Sequence, residues 1–161
     1  MRKLKFYSLL FLICFSCQPK QPDIIGVWQD LPIAASGWSN TYQFFSDGSY
    51  IFNYSTMDCA KRTIRHSGEY KFESDNTILL ITKNKTIVEG GKLVPAMGSC
   101  GSEFELEDGI VKEIQLANHE NNKLSISSIS LDQEAKEKMT INGTGFWRFS
   151  KDPLFYNSHS Y

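Results

Sequence analysis

Apolar and polar residues alternate in short runs along most of the chain, and turn residues separate the runs. In residues 49–54, for example, Tyr50, Phe52 and Tyr54 fall on one face of an extended strand, with mostly polar residues opposite. Asp47-Gly48 lies between two such runs and is a strong signal for a tight hairpin turn. The pattern predicts eight or nine β-strands, at residues 24–28, 41–45, 49–54, 69–73, 77–82, 103–107, 110–116, 124–131 and 139–149.

Short turns, and not long helices, connect most of these predicted strands. The one helical candidate is 132–138, which has good helix formers but little apolar periodicity. Parallel strands need long crossover connections, so the sequence predicts an all-β, antiparallel meander. A meander of about eight strands either closes into a barrel or folds into two packed sheets, because both arrangements protect the strand edges.

The first seventeen residues follow a different pattern. Arg2, Lys3 and Lys5 precede an apolar run over residues 6–15, and small Ser16 then precedes a cysteine. This layout is typical of a signal peptide, and the run is shorter than the roughly 20 apolar residues of a transmembrane helix. The alternative is a plain secretory signal followed by a chance cysteine.

Residues 13–17 resemble the lipobox of bacterial lipoproteins, in the looser form found in Bacteroidetes. In that family the chain is cut before the cysteine, which is diacylated, so the resemblance implies a signal peptide over 1–16, a lipidated Cys17 and a tether over 17–23. Two acyl chains are enough for stable membrane anchoring. In enterobacterial lipoproteins an Asp directly after the lipidated cysteine favours the inner membrane, so by that sorting rule Gln18 favours the outer membrane.

A second resemblance, to lipocalins, covers residues 24–149. Gly26-Val27-Trp28 matches the Gly-x-Trp that opens the first lipocalin strand, and Arg148 stands where a lipocalin arginine on the last strand packs over that tryptophan. The resemblance implies an up-and-down antiparallel barrel of about eight strands over 24–150, followed by a C-terminal tail over 151–161. It gives Gly26, Trp28 and Arg148 structural roles.

Composition and charge narrow the range of partners. The chain has 17 basic and 18 acidic residues, and loss of residues 1–16 removes three basic residues and no acidic one, which changes the net charge from -1 to -4. Nucleic acid is therefore not expected as a partner, because phosphate binding needs a basic face. The expected partners are the membrane, through Cys17, and either a small apolar ligand or an envelope protein.

Cys59 and Cys100 remain in the mature domain beside Cys17. In an oxidising envelope a pair of cysteines most simply forms a disulfide. The alternative with a specific function is a copper site, because Met57 and Met97 together with the two cysteines would supply sulfur ligands that suit Cu(I). No close-spaced repeat of such ligands supports that alternative, so we predict the disulfide, with no metal and no cofactor.

The aromatic residues of neighbouring strands are predicted to share one face of the sheet. In a barrel they either fill the core or line a ligand cavity with polar tips. The candidate ligand-binding residues are Tyr42, Phe44, Tyr50, Phe52, Tyr54, Tyr70 and Phe72.

The sequence contains no arrangement typical of an enzyme. His66, His119 and His159 are scattered, and no serine lies in a Gly-x-Ser-x-Gly motif. The leading hypothesis is a lipid-anchored envelope protein that binds a small apolar or amphipathic ligand in its barrel. The alternative is a filled, non-catalytic module that contacts another envelope protein through its long loops.

Overall fold

The computed structural model describes residues 21–32 and 38–158. Cys17 and the signal peptide therefore lie outside the described residues. The strands are β1 (Gly26–Gln29), β2 (Thr41–Phe44), β3 (Ser49–Asn53), β4 (Thr63–Ser74), β5 (Thr77–Pro95), β6 (Phe104–Ser125), β7 (Ser130–Leu131), β8 (Glu137–Ile141) and β9 (Thr144–Ser150), and α1 (Phe155–Ser158) is a single helical turn.

All nine strands belong to one antiparallel sheet, in the order β6-β5-β4-β3-β2-β1-β9-β8-β7. Consecutive strands pair from β1 to β6, and β9 returns to pair with β1. The predicted all-β antiparallel fold is confirmed, but the predicted closure into a barrel is not. Between β6 and the β8 side of the sheet there is one bridge, Ile126 with Ile141, within the described residues. The rest of the β6 edge extends beyond this bridge and pairs with no strand of the described residues. This happens because β5 and β6, with 19 and 22 residues, are much longer than the other strands.

Several local predictions were wrong. The strands expected at 110–116 and 124–131 are not separate as predicted, because β6 runs without a break from Phe104 to Ser125 and only Ser130–Leu131 form the next strand. Asp108-Gly109 was expected to end one strand and begin another, but both residues lie inside β6. Residues 139–149 were expected to form one strand, but Asn142-Gly143 turns the chain between β8 and β9, with φ angles of 50° and 82°. The helix considered at 132–138 does not form: residues 132–136 form a turn, and β8 begins at Glu137.

One face of the sheet, here called the core face, carries the hydrophobic core. Trp28, Phe44 and Ile78 are fully buried there. Core residues come from β5 and β6 as well as from β8 and β9, and Tyr42 of β2 packs on Phe146 of β9 with ring centroids 5.3 Å apart. Since strands distant in the sheet order meet in one cluster, the sheet must curl around its core face.

The opposite face, here called the outer face, is covered only in part. Gln29, Thr41 and Gln43 point away from the core, yet each is at most 4 % exposed. The C-terminal segment binds the two glutamines: Gln43 Nε2 donates to the Pro153 carbonyl at 2.8 Å, and the Tyr156 hydroxyl donates to Gln29 Oε1 at 2.7 Å. In the part of the chain that the structure describes, no helix is long and apolar enough to cross a membrane.

Candidate ligand cavity

The far ends of β5 and β6 bend across the outer face. We call residues 92–95 and 104–107 the distal ribbon. The bend lies where Gly90, Gly91 and Asp108 take φ angles of 68°, 70° and 58°, which favour glycine and are tolerated by aspartate. Beyond it, Leu106 N donates to the Cys59 carbonyl at 3.0 Å, which joins β6 to the loop between β3 and β4. Because β4 and β5 lie between that loop and β6 in the sheet order, this bond requires the ribbon to fold over the sheet.

A disulfide fixes this arrangement. Cys59 and Cys100 are joined with an S–S distance of 1.98 Å, so the predicted disulfide is confirmed. Beside it, Gly101 N donates to the Met57 carbonyl at 2.7 Å. Both cysteine sulfurs are used by the bond, so they are not available as the thiolate ligands of a copper site. Over residues 21–32 and 38–158, no group of three or more His, Cys, Asp or Glu side chains is placed to hold a metal ion.

A cavity of about 760 Å³ lies between the outer face, the loop that contains Cys59 and the distal ribbon. Its apolar wall comes from Tyr54, Ile64, Val88, Leu106 and Val111. Its uncharged polar wall includes Ser39, Thr41, Gln43, Asn53, Ser55 and Thr86. Three charged side chains also line it: Asp58, Lys61 and Arg65. The cavity therefore has an apolar side and a polar side, and its lining carries a net charge of +1.

A chain of hydrogen bonds holds the polar wall in place. Arg65 Nε donates to Asn53 Oδ1 at 2.8 Å, and Asn53 Nδ2 donates to Gln43 Oε1 at 3.4 Å. Gln43 is in turn fixed by its bond to the Pro153 carbonyl. The neighbouring strands β2, β3 and β4 place these side chains side by side, since Thr41 pairs with Asn53 and Asn53 pairs with Arg65.

The second cation of the cavity is anchored differently. Lys61 Nζ lies 4.1 Å from the centre of the Tyr54 ring and 3.3 Å from Asp58 Oδ2. A lysine over an aromatic face is stabilised by the negative charge of the ring face. Asp58 therefore balances Lys61, whereas no carboxylate within the described residues lies at ion-pair distance from Arg65.

The predicted ligand-binding aromatics are divided between the core and the cavity. Tyr54 is the one that lines the cavity. Tyr42, Phe44 and Tyr50 are buried in the core, and the Tyr50 hydroxyl is 2.6 Å from Thr82 Oγ1. The others pack against that core: Phe52, Tyr70 and Phe72. Most of this aromatic face is thus packed against protein.

The three residues with predicted structural roles lie together at the junction of β1 and β9. The Arg148 guanidinium lies 4.6 Å from the centre of the Trp28 ring, and its side chain is 3 % exposed. Its NH1 is 3.1 Å from Glu137 Oε2, and it also pairs with Asp23. Gly26 has a φ of 126°, and a Cβ there would lie 2.3 Å from the Ser150 carbonyl oxygen. Only glycine fits at that point.

The His66 ring packs on Tyr54 with centroids 5.4 Å apart and lies 6.3 Å from the ring of Phe52, its partner across β3 and β4. Burial lowers the pKa of His66 below its ordinary value of 6.5, and the charge of Lys85 lowers it further. His66 therefore binds a proton more readily in the unfolded chain than in the folded chain. The stability that neutral His66 contributes is present above about pH 6.5 and is lost as the pH falls toward the folded-state pKa.

We therefore expect His66→Gln to reduce the loss of stability between pH 7 and pH 5.5, measured by urea unfolding at a series of pH values. His119→Gln is the matched control, because His119 is an exposed residue of β6. Equal pH slopes for wild type and His66→Gln would contradict the expectation.

Sequence reasoning missed the residues that make the cavity polar. Asn53 and Arg65 were not singled out, because alternating polar residues in a strand usually face solvent, and Lys61 lies in a loop, where a charged residue carries no particular signal. Their role depends on the distal ribbon and the C-terminal segment, which reach the outer face from distant parts of the chain.

No protein-family model, curated protein sequence or solved structure matches this chain significantly. The function proposed below therefore rests on the geometry of the cavity and on the pattern of the sequence.

Proposed function

We propose that this protein is a lipid-anchored lipoprotein of the bacterial cell envelope that binds a small amphipathic ligand without transforming it. The observation that carries the proposal is the cavity of about 760 Å³, with an apolar wall on one side and an ordered polar wall on the other. Ligand sites are typically cavities of roughly 300–1,000 Å³ with a few well-placed polar groups. The ligand occupies the outer face, because the aromatic core face is packed.

The envelope location is supported by the N-terminal pattern. A charged start, a short apolar run and the lipobox-like residues before Cys17 imply cleavage, diacylation and attachment, with the outer membrane favoured. The disulfide fits an oxidising compartment. Within the domain, the stacking of Arg148 on Trp28 supports a relationship to lipocalins, although the sheet is not closed.

The proposal is tested by native mass spectrometry of the mature protein, purified from bacterial envelope in mild detergent. We expect a reproducible extra mass that is lost on denaturation, in addition to the mass of a diacylated chain that begins at Cys17. Thr86→Trp places an indole on the cavity wall and should abolish the extra mass. Thr144→Trp, at an exposed position outside the cavity, is the matched control and should retain it.

A bare protein mass in wild type and in both variants would overturn the ligand-binding proposal. It would favour the second candidate function, a module that contacts another envelope protein. The observation behind that alternative is the long edge of β6, where Phe104, Ile110 and Val111 are 46 %, 63 % and 61 % exposed. Unpaired strand edges readily accept a strand from a partner.

A further inference from the structure

The charges of the cavity restrict the ligand further than its volume does. Asp58 is paired with Lys61, so the remaining charge of the lining is that of Arg65. Arg65 is an exposed side chain with no carboxylate partner in the described residues, so a ligand of opposite sign can pair with it without breaking an existing ion pair. A monoanion would neutralise the lining, whereas a dianion would leave an excess negative charge beside Asp58.

The geometry of Arg65 favours a planar anion. Its Nε is occupied by Asn53 Oδ1, and that amide is itself held by Gln43, so the guanidinium plane is fixed from one edge. No hydrogen bond of the terminal nitrogens to another described residue is present. A guanidinium presents these nitrogens as a fork that matches the two oxygens of a carboxylate.

The apolar wall indicates what the anion is attached to. Val88 and Val111 are cross-strand partners on the outer face, and Leu106 of the distal ribbon faces the same cavity. No charged side chain comes from this part of the lining. Such a surface suits an aliphatic chain, because burying it removes apolar area from water.

We propose that the ligand is an amphiphilic monocarboxylate, with its carboxylate on Arg65 and its hydrocarbon chain against Val88, Leu106 and Val111. This inference rests on the proposed function, since it names the ligand class of the same cavity. Lys61 lies on the same polar side, where Asp58 balances its charge.

The test uses the mature chain with Cys17→Ser, so that no attached acyl chain competes for the cavity. Binding of decanoate, 1-decanol and decyl phosphate is measured by calorimetry below their aggregation concentrations. We expect decanoate to bind at least about tenfold more tightly than 1-decanol, because a charge-assisted hydrogen-bonded pair is typically worth about 10- to 100-fold in affinity. Decyl phosphate should bind no more tightly than decanoate.

Arg65→Gln should reduce decanoate binding to the level of 1-decanol and leave 1-decanol unchanged. Lys71→Gln removes an exposed positive charge from the same strand outside the cavity and should change neither, which controls for net charge. Near-ultraviolet circular dichroism verifies that the variants are folded, and Arg65→Lys should recover part of the preference for decanoate.

The outcomes separate the ligand class from the binding function. Equal affinity for decanoate and 1-decanol, or tighter binding of decyl phosphate than of decanoate, would overturn the proposal that the ligand is a monocarboxylate. The proposal that the cavity binds a ligand would stand. An extra mass on the envelope protein without binding of any probe would also overturn it. A bare envelope protein that binds no probe would overturn the proposed function itself.

Discussion

Replacing both Cys59 and Cys100 by serine should lower the free energy of unfolding by about 4 kcal/mol. The two residues are 41 positions apart, and closing a loop of that length restricts the unfolded chain by about this amount. Urea unfolding followed by tryptophan fluorescence measures the change. Wild type in a reducing agent should fall to the stability of the double variant, and the double variant should not respond to the reducing agent. A loss under about 1 kcal/mol would contradict this expectation.

Removal of the disulfide should also affect the cavity. The distal ribbon and the segment 96–103 that joins its two strands would then be held to the loop mainly by Leu106 N on the Cys59 carbonyl and Gly101 N on the Met57 carbonyl. Two backbone hydrogen bonds near the surface exchange with water far more readily than a covalent link breaks. In the double variant we expect faster amide exchange in residues 96–106 and a smaller ligand adduct. Unchanged exchange there would show that the disulfide does not hold the ribbon.

Residues on the core face could be predicted from the sequence because their burial depends on alternation alone. Tyr42, Phe44 and Tyr50 recur at every second position on adjacent strands, so any antiparallel meander places them on one face. The contact of Trp28 with Arg148, which pair across β1 and β9, was expected from the resemblance to lipocalins and not from alternation.

The two Gly-containing signals show why the outer face could not be predicted. Asp108-Gly109 and Asn142-Gly143 look alike in sequence, and Asp108 and Asn142 both adopt positive φ angles. At Asn142 the chain reverses. At Asp108, Gly90 and Gly91 opposite also take positive φ angles, so both strands bend together and their pairing continues. The dipeptide therefore indicates a backbone conformation, and the partner strand decides whether it becomes a turn or a bend.

The cavity depends on that bend, so its residues carried no local signal. Asn53 and Arg65 alternate with core residues just as solvent-exposed residues do. They line a cavity because the distal ribbon and the segment around Pro153 approach the same face from elsewhere. Contacts between segments so distant in sequence depend on the whole fold, and the alternation of apolar and polar residues along one strand cannot predict them.

Trp28→Ala should destabilise the domain by about 3–5 kcal/mol, the usual cost of removing a fully buried large aromatic side chain. The change removes the ring under the Arg148 guanidinium and the hydrogen bond from Trp28 Nε1 to the Ile24 carbonyl, which is 2.7 Å long. Domains of this size have about 5–15 kcal/mol of stability in total, so a large part would be lost. Urea unfolding at low temperature measures the loss, and Trp38→Ala is the matched control, since Trp38 is 58 % exposed and should change stability by under about 0.5 kcal/mol.

Trp28→Phe separates packing from the contact with Arg148. Phenylalanine fills most of the space but lacks the Nε1–H and offers a smaller ring face to the guanidinium, so we expect a loss of about 1–2 kcal/mol. If the stack on Arg148 contributes, Arg148→Met should cost less in the Trp28→Phe background than in wild type. The buried Nε of Arg148 has no hydrogen-bond partner in the described residues. The face of the Trp28 ring is therefore the main interaction that offsets the loss of water around this part of the guanidinium. Strictly additive losses would show that Arg148 acts through its ion pair with Glu137 and not through the ring.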